Sequence, residues 1–318
     1  MNILVTGGAG FIGSALAKRL SAAGHRVVIV DNFNDYYSVK LKRDRVAHLV
    51  PHIPIYMLDI TDEAAVHALF AAEKFDIVCH LAAQAGVRYS IDNPSAYIDA
   101  NLRGTQVLLE AMRKYSVGRM VFASSSSVYG NDTVAPFRED APADRQVSVY
   151  GASKRGGELL AYTYAHLYKM DITCLRFFTV YGPWGRPDMA PIKFAKSILE
   201  GAPIDVYNNG DLRRDFTYID DIVEGFVRAV ERPLGYEIIN LGHGSPVPLL
   251  RFIEVLEGAL GMKAEKRMLP MQEGDVFETY ADTTKARTLL QFAPHVSVEE
   301  GVDAFIAWYR TYAGIIDK

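Results

Sequence analysis

The chain predicts an α/β fold, a doubly wound parallel sheet completed by a smaller C-terminal α/β lobe. Three observations carry that prediction. Short runs of β-branched and apolar residues recur through the first 180 positions, each followed by a stretch with helical periodicity. The first of these runs leads straight into a glycine-rich turn. After residue 181 the punctuation changes: prolines at 183, 187, 191 and 203, with Asn208-Asn209-Gly210, mark a loop-rich region of shorter elements. Strand and helix in alternation imply parallel strands, because the crossover helices cover both faces of the sheet.

The first strand spans residues 2–6. Gly7-Gly8-Ala9-Gly10-Phe11-Ile12-Gly13 follows, and small and apolar residues continue as a helix to Ala17, Lys18 and Arg19. Gly7 permits a tight turn, Gly10 lets backbone approach a pyrophosphate, and Gly13 allows close helix–strand packing. The helix N-terminus at Phe11 and Ile12 supplies free N–H groups and a partial positive charge. This is the phosphate cradle of a Rossmann-type dinucleotide site. Four glycines, with no basic residue before Lys18, argue against a secretory leader.

The second strand, 26–31, ends in Asp31, eighteen residues beyond Gly13. A carboxylate there accepts hydrogen bonds from an adenosine ribose and repels a 2′-phosphate, which favours NAD over NADP. Asp31-Asn32 is also a turn-prone pair. Further strands are expected at 54–58, 75–82, 119–124 and 171–178, with helices at 62–73, 95–115 and 150–168. Ligands of such a sheet bind beyond the C-terminal strand ends, where Gly7, Asp31, Asp59, Ala82 and Ser124 all fall. Residues 1–180 are therefore expected to form an NAD-binding domain. Residues 181–318 form a substrate lobe interleaved with it, with helices near 249–260, 284–292 and 298–312.

At 318 residues there is ample material for a core. A net charge of −4 and a pI near 6.1 give no polyanion-binding footprint, which excludes nucleic acid as an expected partner. No apolar run reaches membrane-spanning length without glycine or charge. Cys79 and Cys174 each fall in an expected buried strand and read as reduced core thiols of a cytoplasmic protein. No metal-ligating set converges in the sequence.

Chemistry concentrates near residue 150. Tyr150 and Lys154 are four residues apart and share one helix face. An ammonium beside a phenol favours the phenolate, so Tyr150 can remove a hydroxyl proton while a hydride leaves the same carbon. The run Ser124-Ser125-Ser126-Ser127 ends the strand before it, where hydroxyls can meet a reacting oxygen or simply build caps and turns.

From end to end the chain resembles the extended short-chain dehydrogenase/reductases of the nucleotide-sugar epimerase/dehydratase group. The matching pieces are the glycine turn, His80-Leu81-Ala82-Ala83-Gln84, Asn101-Leu-Arg-Gly-Thr105 and the serine run. Tyr150-x-x-x-Lys154, Arg176-Phe177-Phe178-Thr179-Val-Tyr-Gly-Pro183 and Arg214-Asp-Phe-Thr-Tyr-Ile-Asp-Asp221 follow in order, as do Pro294, Glu299-Glu300-Gly301 and Trp308-Tyr309. The resemblance implies NAD as cofactor, Tyr150 as acid/base, Lys154 on the nicotinamide ribose, where it lowers the tyrosine pKa, and Ser125 at the substrate oxygen. It places Asp59 and Ile60 at adenine, and Phe177 and Phe178 by the nicotinamide. Asn32, Leu81, Ala82, Ala83, Asn101 and Ser124 complete the cofactor set. A homodimer is implied too.

Within the group, dehydratases carry an acidic pair where this chain has Ser126 and Ser127, which cannot supply a general acid and base at neutral pH. Decarboxylases usually have glutamate at the second position, and neutral-hexose epimerases show asparagine where Thr179 stands. Thr179, the segment 182–189, the segment 31–37 and Met271-Gln-Glu-Gly-Asp275 most resemble UDP-glucuronate 4-epimerases, implying UDP-glucuronate as substrate and Asp275 as a contact. UDP-glucose 4-epimerase and UDP-glucuronate decarboxylase are the alternatives, and a non-catalytic dinucleotide sensor is a remote one. Arg186, with Ser126, Ser127 and Thr179, is the candidate to hold the sugar carboxylate. Arg88, in Gly86-Val-Arg88, is a second candidate cation. Arg214 is expected at the phosphates, or else in a surface salt bridge to Asp215 or Asp211. Asp220-Asp221 is expected to cap a helix.

Overall fold

The computed structural model describes residues 1–272 and 276–316. The chain runs β1 (Asn2–Thr6), α1 (Phe11–Ala22), β2 (Arg26–Asp31), α2 (Val39–Leu49), β3 (Ile55–Met57), α3 (Glu63–Ala72) and β4 (Ile77–His80). Two single turns, α4 (Tyr89–Asp92) and α5 (Pro94–Tyr97), then lead through a π-helical segment, Ile98–Arg103, into α6 (Gly104–Lys114). β5 (Arg119–Ser125), α7 (Val149–Tyr168) and β6 (Asp171–Phe177) follow. The second half contains β7 (Thr179–Tyr181), α8 (Ala190–Leu199), β8 (Ile204–Val206), β9 (Arg213–Arg214), β10 (Phe216–Tyr218), α9 (Ile219–Glu231) and β11 (Tyr236–Leu241). It closes with β12 (Val247–Pro248), α10 (Leu249–Leu260), β13 (Lys266–Met268), β14 (Glu278–Thr279), α11 (Thr284–Leu290) and α12 (Val298–Ile316).

Seven strands form one parallel sheet in the order β11-β6-β5-β4-β1-β2-β3. Alternation divides its side chains between two buried layers. Ile3, Val5, Ile29, Cys79, Val121 and Leu175 enter one, and Leu4, Val28, Val78, Met120, Phe122 and Cys174 the other. The two cysteines are free, buried and on opposite faces, so they cannot pair with each other. Strand order reverses between β1 and β4, where such sheets open a crevice for ligands. There the loops after the two strands touch: a Cβ on Gly7 would stand 2.7 Å from the Ala82 nitrogen, and Gly7 has a φ of +69°. No helix among the described residues is long and apolar enough to cross a membrane.

Three features depart from the sequence expectation. β11 returns to the large sheet beside β6, with Ile239 and Leu241 fully buried, so the chain after residue 181 also completes the first domain. Which sheet a strand joins is decided by its pairing partner, which the strand's own residues do not name. The helix expected over 95–115 starts at Pro94, the first residue of α5, and passes through a π-helical segment, Ile98–Arg103, before it continues as α6. α2 is unannounced because it buries Lys42 and Arg45 beside Leu41, so its buried face has no apolar periodicity to read.

Candidate active site

The ends of β1, β2, β4, β5 and β6 open into one cavity of about 940 Å³. Of the sequence-derived residues, Gly7, Gly10, Phe11, Ile12, Gly13, Asp31, Asn32, Asp59, Ile60, Leu81, Ala82, Ala83, Ser124, Phe177 and Phe178 line it. Tyr150, Lys154, Ser125, Ser126, Ser127, Thr179, Gly86, Arg88, Arg186 and Arg214 line it as well. Asp275 lies outside the described residues.

The glycine turn is built as a phosphate cradle. A Cβ on Gly13 would fall 2.2 Å from the Gly7 carbonyl oxygen, so only glycine lets α1 pack against the turn this closely. Gly10 caps α1 without a side-chain hydrogen bond, so the N-terminal N–H groups are left for an anion. The Asp31 carboxylate braces this turn by accepting from Ala9 N at 3.0 Å and Phe33 N at 2.9 Å. Asp59 accepts from Asn32 Nδ2 at 2.8 Å and from Thr61. The buried Gln84 Nε2, on the cavity wall, lacks a protein acceptor. Glycines no side chain could replace, an uncapped helix end and a carboxylate at the second strand end together fit a dinucleotide.

A hydrogen-bond chain ties this turn to the helix that carries Tyr150. Thr105 Oγ1 donates to Asn101 O at 2.6 Å and so accepts from His80 Nε2–H, 3.0 Å away. His80 Nδ1 then accepts from Thr6 Oγ1 at 2.8 Å, and burial pushes the imidazole down to about 3. His80 is a neutral structural bridge. Asn101 continues the chain: Oδ1 accepts from Gln84 N at 2.8 Å, while Nδ2 donates to Gln84 O at 3.0 Å and Ser153 Oγ at 2.8 Å. Asn101 was expected among the cofactor contacts. It is 2% exposed and absent from the cavity wall, because its amide is fully used in joining the 84–86 loop to α7.

Ser148 caps α7, accepting from Gly151 N at 3.0 Å, and the helix presents Tyr150 and Lys154 to the cavity. Lys154 Nζ donates to Ala123 O at 2.9 Å, and burial lowers its pKa to about 8 against a raising effect from Glu158. The sequence expectation was that Lys154 depresses Tyr150. In this geometry the phenol is raised instead: burial is the largest cause, opposed by the Ser125 hydroxyl and then by the charge on Arg186. The ammonium faces the β5 backbone. Ser124 turns its hydroxyl inward, donating to Glu158 Oε1 at 2.6 Å. Glu158 also accepts from Arg176 Nε and Nη2, each at 2.8 Å, and from Arg155 Nη1 at 2.8 Å, so β5, β6 and α7 meet on one buried carboxylate.

Around the sugar end, Ser126 and Ser127 begin a short 3-10 turn and Thr179 begins β7. Arg186 pairs with Asp188. Arg88 stacks over the Tyr207 ring at 5.0 Å. Arg214 Nη1 donates to the Arg213 and Phe277 carbonyls, and the expected alternative of an Asp215 salt bridge fails because Asp215 is fully buried. Asp215 instead gathers His243 N, Gly244 N and Ala281 N. The expectation that Asp220-Asp221 caps a helix also gives way. Asp221 accepts from His295 N and Val296 N, pinning the segment before α12 to α9. Residues not singled out from sequence also line the cavity, among them Tyr36, Lys42, Tyr89, Asp188, Lys193 and Tyr207. For Tyr36 there was a signal: a polar, aromatic loop directly after the acid that ends β2.

Residues 3–242 match the model of the NAD dependent epimerase/dehydratase family. A UDP-glucuronate 4-epimerase of Thermodesulfobacterium geofontis is 46% identical, over 96% of this chain and 95% of that protein. A UDP-glucuronic acid 4-epimerase from Bacillus cereus, solved in complex with UDP-glucuronic acid and NAD, superposes with a TM-score of 0.91 at 36% identity, covering 98% of this chain and 99% of that one. A UDP-glucose 4-epimerase of Thermotoga maritima, solved with UDP-glucose, also reaches 0.91, at 33% identity over 98% of this chain and 100% of that one. Backbone likeness therefore identifies the family and leaves the sugar to the side chains. With the family model spanning most of its length, this chain belongs to the NAD dependent epimerase/dehydratase family.

Proposed function

We propose that the protein interconverts UDP-glucuronate and UDP-galacturonate by NAD-dependent epimerisation at C4. One observation carries the sugar assignment. Arg186 lines the same cavity as Tyr150, and a cation on that wall supports a sugar that carries a carboxylate beside the reacting carbon. A neutral hexose brings no second carboxylate to that cation, whose Nε–Nη2 edge already meets Asp188. The relatives at 46% and 36% identity that bear the UDP-glucuronate epimerase name support the same choice.

The reading assigns each group a task. The glycine turn from Gly7 to Gly13 holds the pyrophosphate, and Asp31 the adenosine ribose. Bound NAD⁺ takes the C4 hydride and later returns it to the opposite face of the sugar. Tyr150, ionised, accepts the O4 proton and gives it back after the ring has turned, while Ser125 steadies O4. Lys154 supplies positive charge beside the ribose. Ser126, Ser127 and Thr179 offer hydroxyls to the carboxylate and Arg186 a forked donor. Arg214 is assigned to the diphosphate end, and Arg88 is the second candidate for the carboxylate. With serines at 126 and 127, no carboxylic acid stands there to assist elimination of water.

We further propose a homodimer through α6 and α7, where Leu159, Tyr162 and Leu167 are more than half exposed along one helix. Two reduced, buried thiols support a cytoplasmic location. Incubation with UDP-glucuronate, followed by NMR, should show UDP-galacturonate. Stoichiometric CO₂ with a UDP-pentose would assign a decarboxylase instead, and turnover of UDP-glucose alone a hexose epimerase.

A further inference from the structure

We propose that Asp188 is a positioning residue that selects which edge of Arg186 meets the sugar carboxylate, and that Tyr36 latches this pair to the cofactor half. The inference rests on the assignment of Arg186 to the uronate. Met189 N donates to Arg186 O at 3.2 Å, closing a turn with Pro187 at its second position. Asp188 folds back within that turn: Arg186 Nε donates to Oδ1 at 3.0 Å and Nη2 to Oδ2 at 2.5 Å. A guanidinium offers two forks, Nε–Nη2 and Nη1–Nη2. Asp188 occupies the first, so a second carboxylate can be gripped bidentately only by the other.

Asp188 is itself held. Tyr36 donates to its Oδ2 at 3.2 Å from the loop after β2. Tyr36 rests on Tyr89, with ring centroids 4.7 Å apart, and against Gly86, where a Cβ would stand 2.7 Å from the Tyr36 hydroxyl. The backbone leading into Arg186 is fixed from the same half. Arg45, fully buried, donates to Trp184 O at 2.9 Å, Gly185 O at 3.0 Å, the Tyr37 hydroxyl at 2.7 Å and Ala9 O in the glycine turn at 3.4 Å. Both the main chain and the side chain of Arg186 are thus referenced to the cofactor side of the cavity.

The purpose follows from the chemistry of the oxidised sugar. A 4-keto uronate is a β-keto acid. When C5–C6 stands perpendicular to the carbonyl plane that bond breaks, CO₂ leaves, and its electron pair passes into the ketone as an enolate that takes a proton at C5. A guanidinium free to swing follows the carboxylate through that orientation, whereas one locked by Asp188 resists it.

The test is the ratio of UDP-4-keto-pentose to UDP-galacturonate in Asp188→Asn, Asp188→Glu and Tyr36→Phe, with melting temperature and NAD content recorded alongside. A ratio is independent of how much protein is folded, so a general loss of structure does not move it. Asp188→Asn should raise it on the order of tenfold or more, the scale of a misplaced group at a reacting centre. Tyr36→Phe should raise it less, and Asp188→Glu should restore part of the control. An unchanged ratio in the folded variants, with wild type epimerising normally, overturns this inference alone. If Asp188→Asn does not fold, Tyr36→Phe decides the question. No UDP-galacturonate from wild type overturns the functional reading and this inference together.

Discussion

The ammonium of Lys154 donates to the carbonyl oxygen of Ala123 at 2.9 Å, on the strand whose end carries Ser125. The residue that defines the tyrosine–lysine motif is therefore anchored to the sheet, and α7 is held in register with β5 by it. Burial brings Lys154 to about 8, inside the range of an ordinary assay. Below that pH the ammonium dominates; above it the positive charge at Lys154 is lost. Turnover should fall as pH rises through about 8, and Lys154→Arg, slower throughout, should lose that alkaline limb because a guanidinium keeps its charge. A wild-type profile flat to pH 10 would contradict this.

The phenol of Tyr150 is raised by burial and pulled back by Ser125. Removing the hydroxyl in Ser125→Ala takes away a lowering influence, so less phenolate is present at neutral pH. The acidic limb of kcat/KM should shift to higher pH in this variant. Tyr150→Phe should cost at least about 10²-fold in turnover with NAD still bound, as loss of an acid/base does. Pre-steady-state and steady-state assays across pH 5–10, a range of about five units chosen to span both limbs, read both effects.

Gly13 has no room for a side chain. A Cβ would meet the Gly7 carbonyl oxygen and, at 2.9 Å, Gly8 Cα, both backbone atoms that cannot swing aside. Gly13→Ala should destabilise by about 1–3 kcal/mol and purify with much less NAD. Gly118→Ala, where nothing stands within 4 Å, is the matched control. Thermal melts with cofactor quantified by absorbance compare the two.

Arg176 and Glu158 form a buried pair, 1% and 0% exposed along their side chains. Arg176→Leu removes two of the charged donors and leaves a buried carboxylate with only Arg155 and Ser124, which should cost about 3–5 kcal/mol. The double substitution with Glu158→Leu should recover much of that loss, since no uncompensated charge remains. Urea denaturation of both variants checks the difference; equal stabilities would show that the single variant's loss is one of packing.

Much of the fold was legible because its signals are local. Strands β1, β2, β5 and β6 announce themselves by short runs of β-branched and apolar residues, the glycine turn by its spacing, and Tyr150 and Lys154 by the geometry of a single helix turn. α2 was hidden because two of its three buried positions are Lys42 and Arg45, charges satisfied by carbonyls and a hydroxyl in the preceding loop and beyond Tyr181.

By itself the sequence determined the alternation of strand and helix, the glycine turn after the first strand and the shared helix face of Tyr150 and Lys154, since each depends on residues within a few positions of one another. The tertiary structure alone decided that β11 completes the sheet, that Asn101 joins the loop at Gln84 to α7, and that Lys154 is anchored to Ala123. It also decided how Arg186 is aimed. Tyr36 and Asp188 are 152 positions apart, and Arg45 and Trp184 139. Such partners are chosen by where the sheet brings its strand ends together, and no spacing along the chain records that choice.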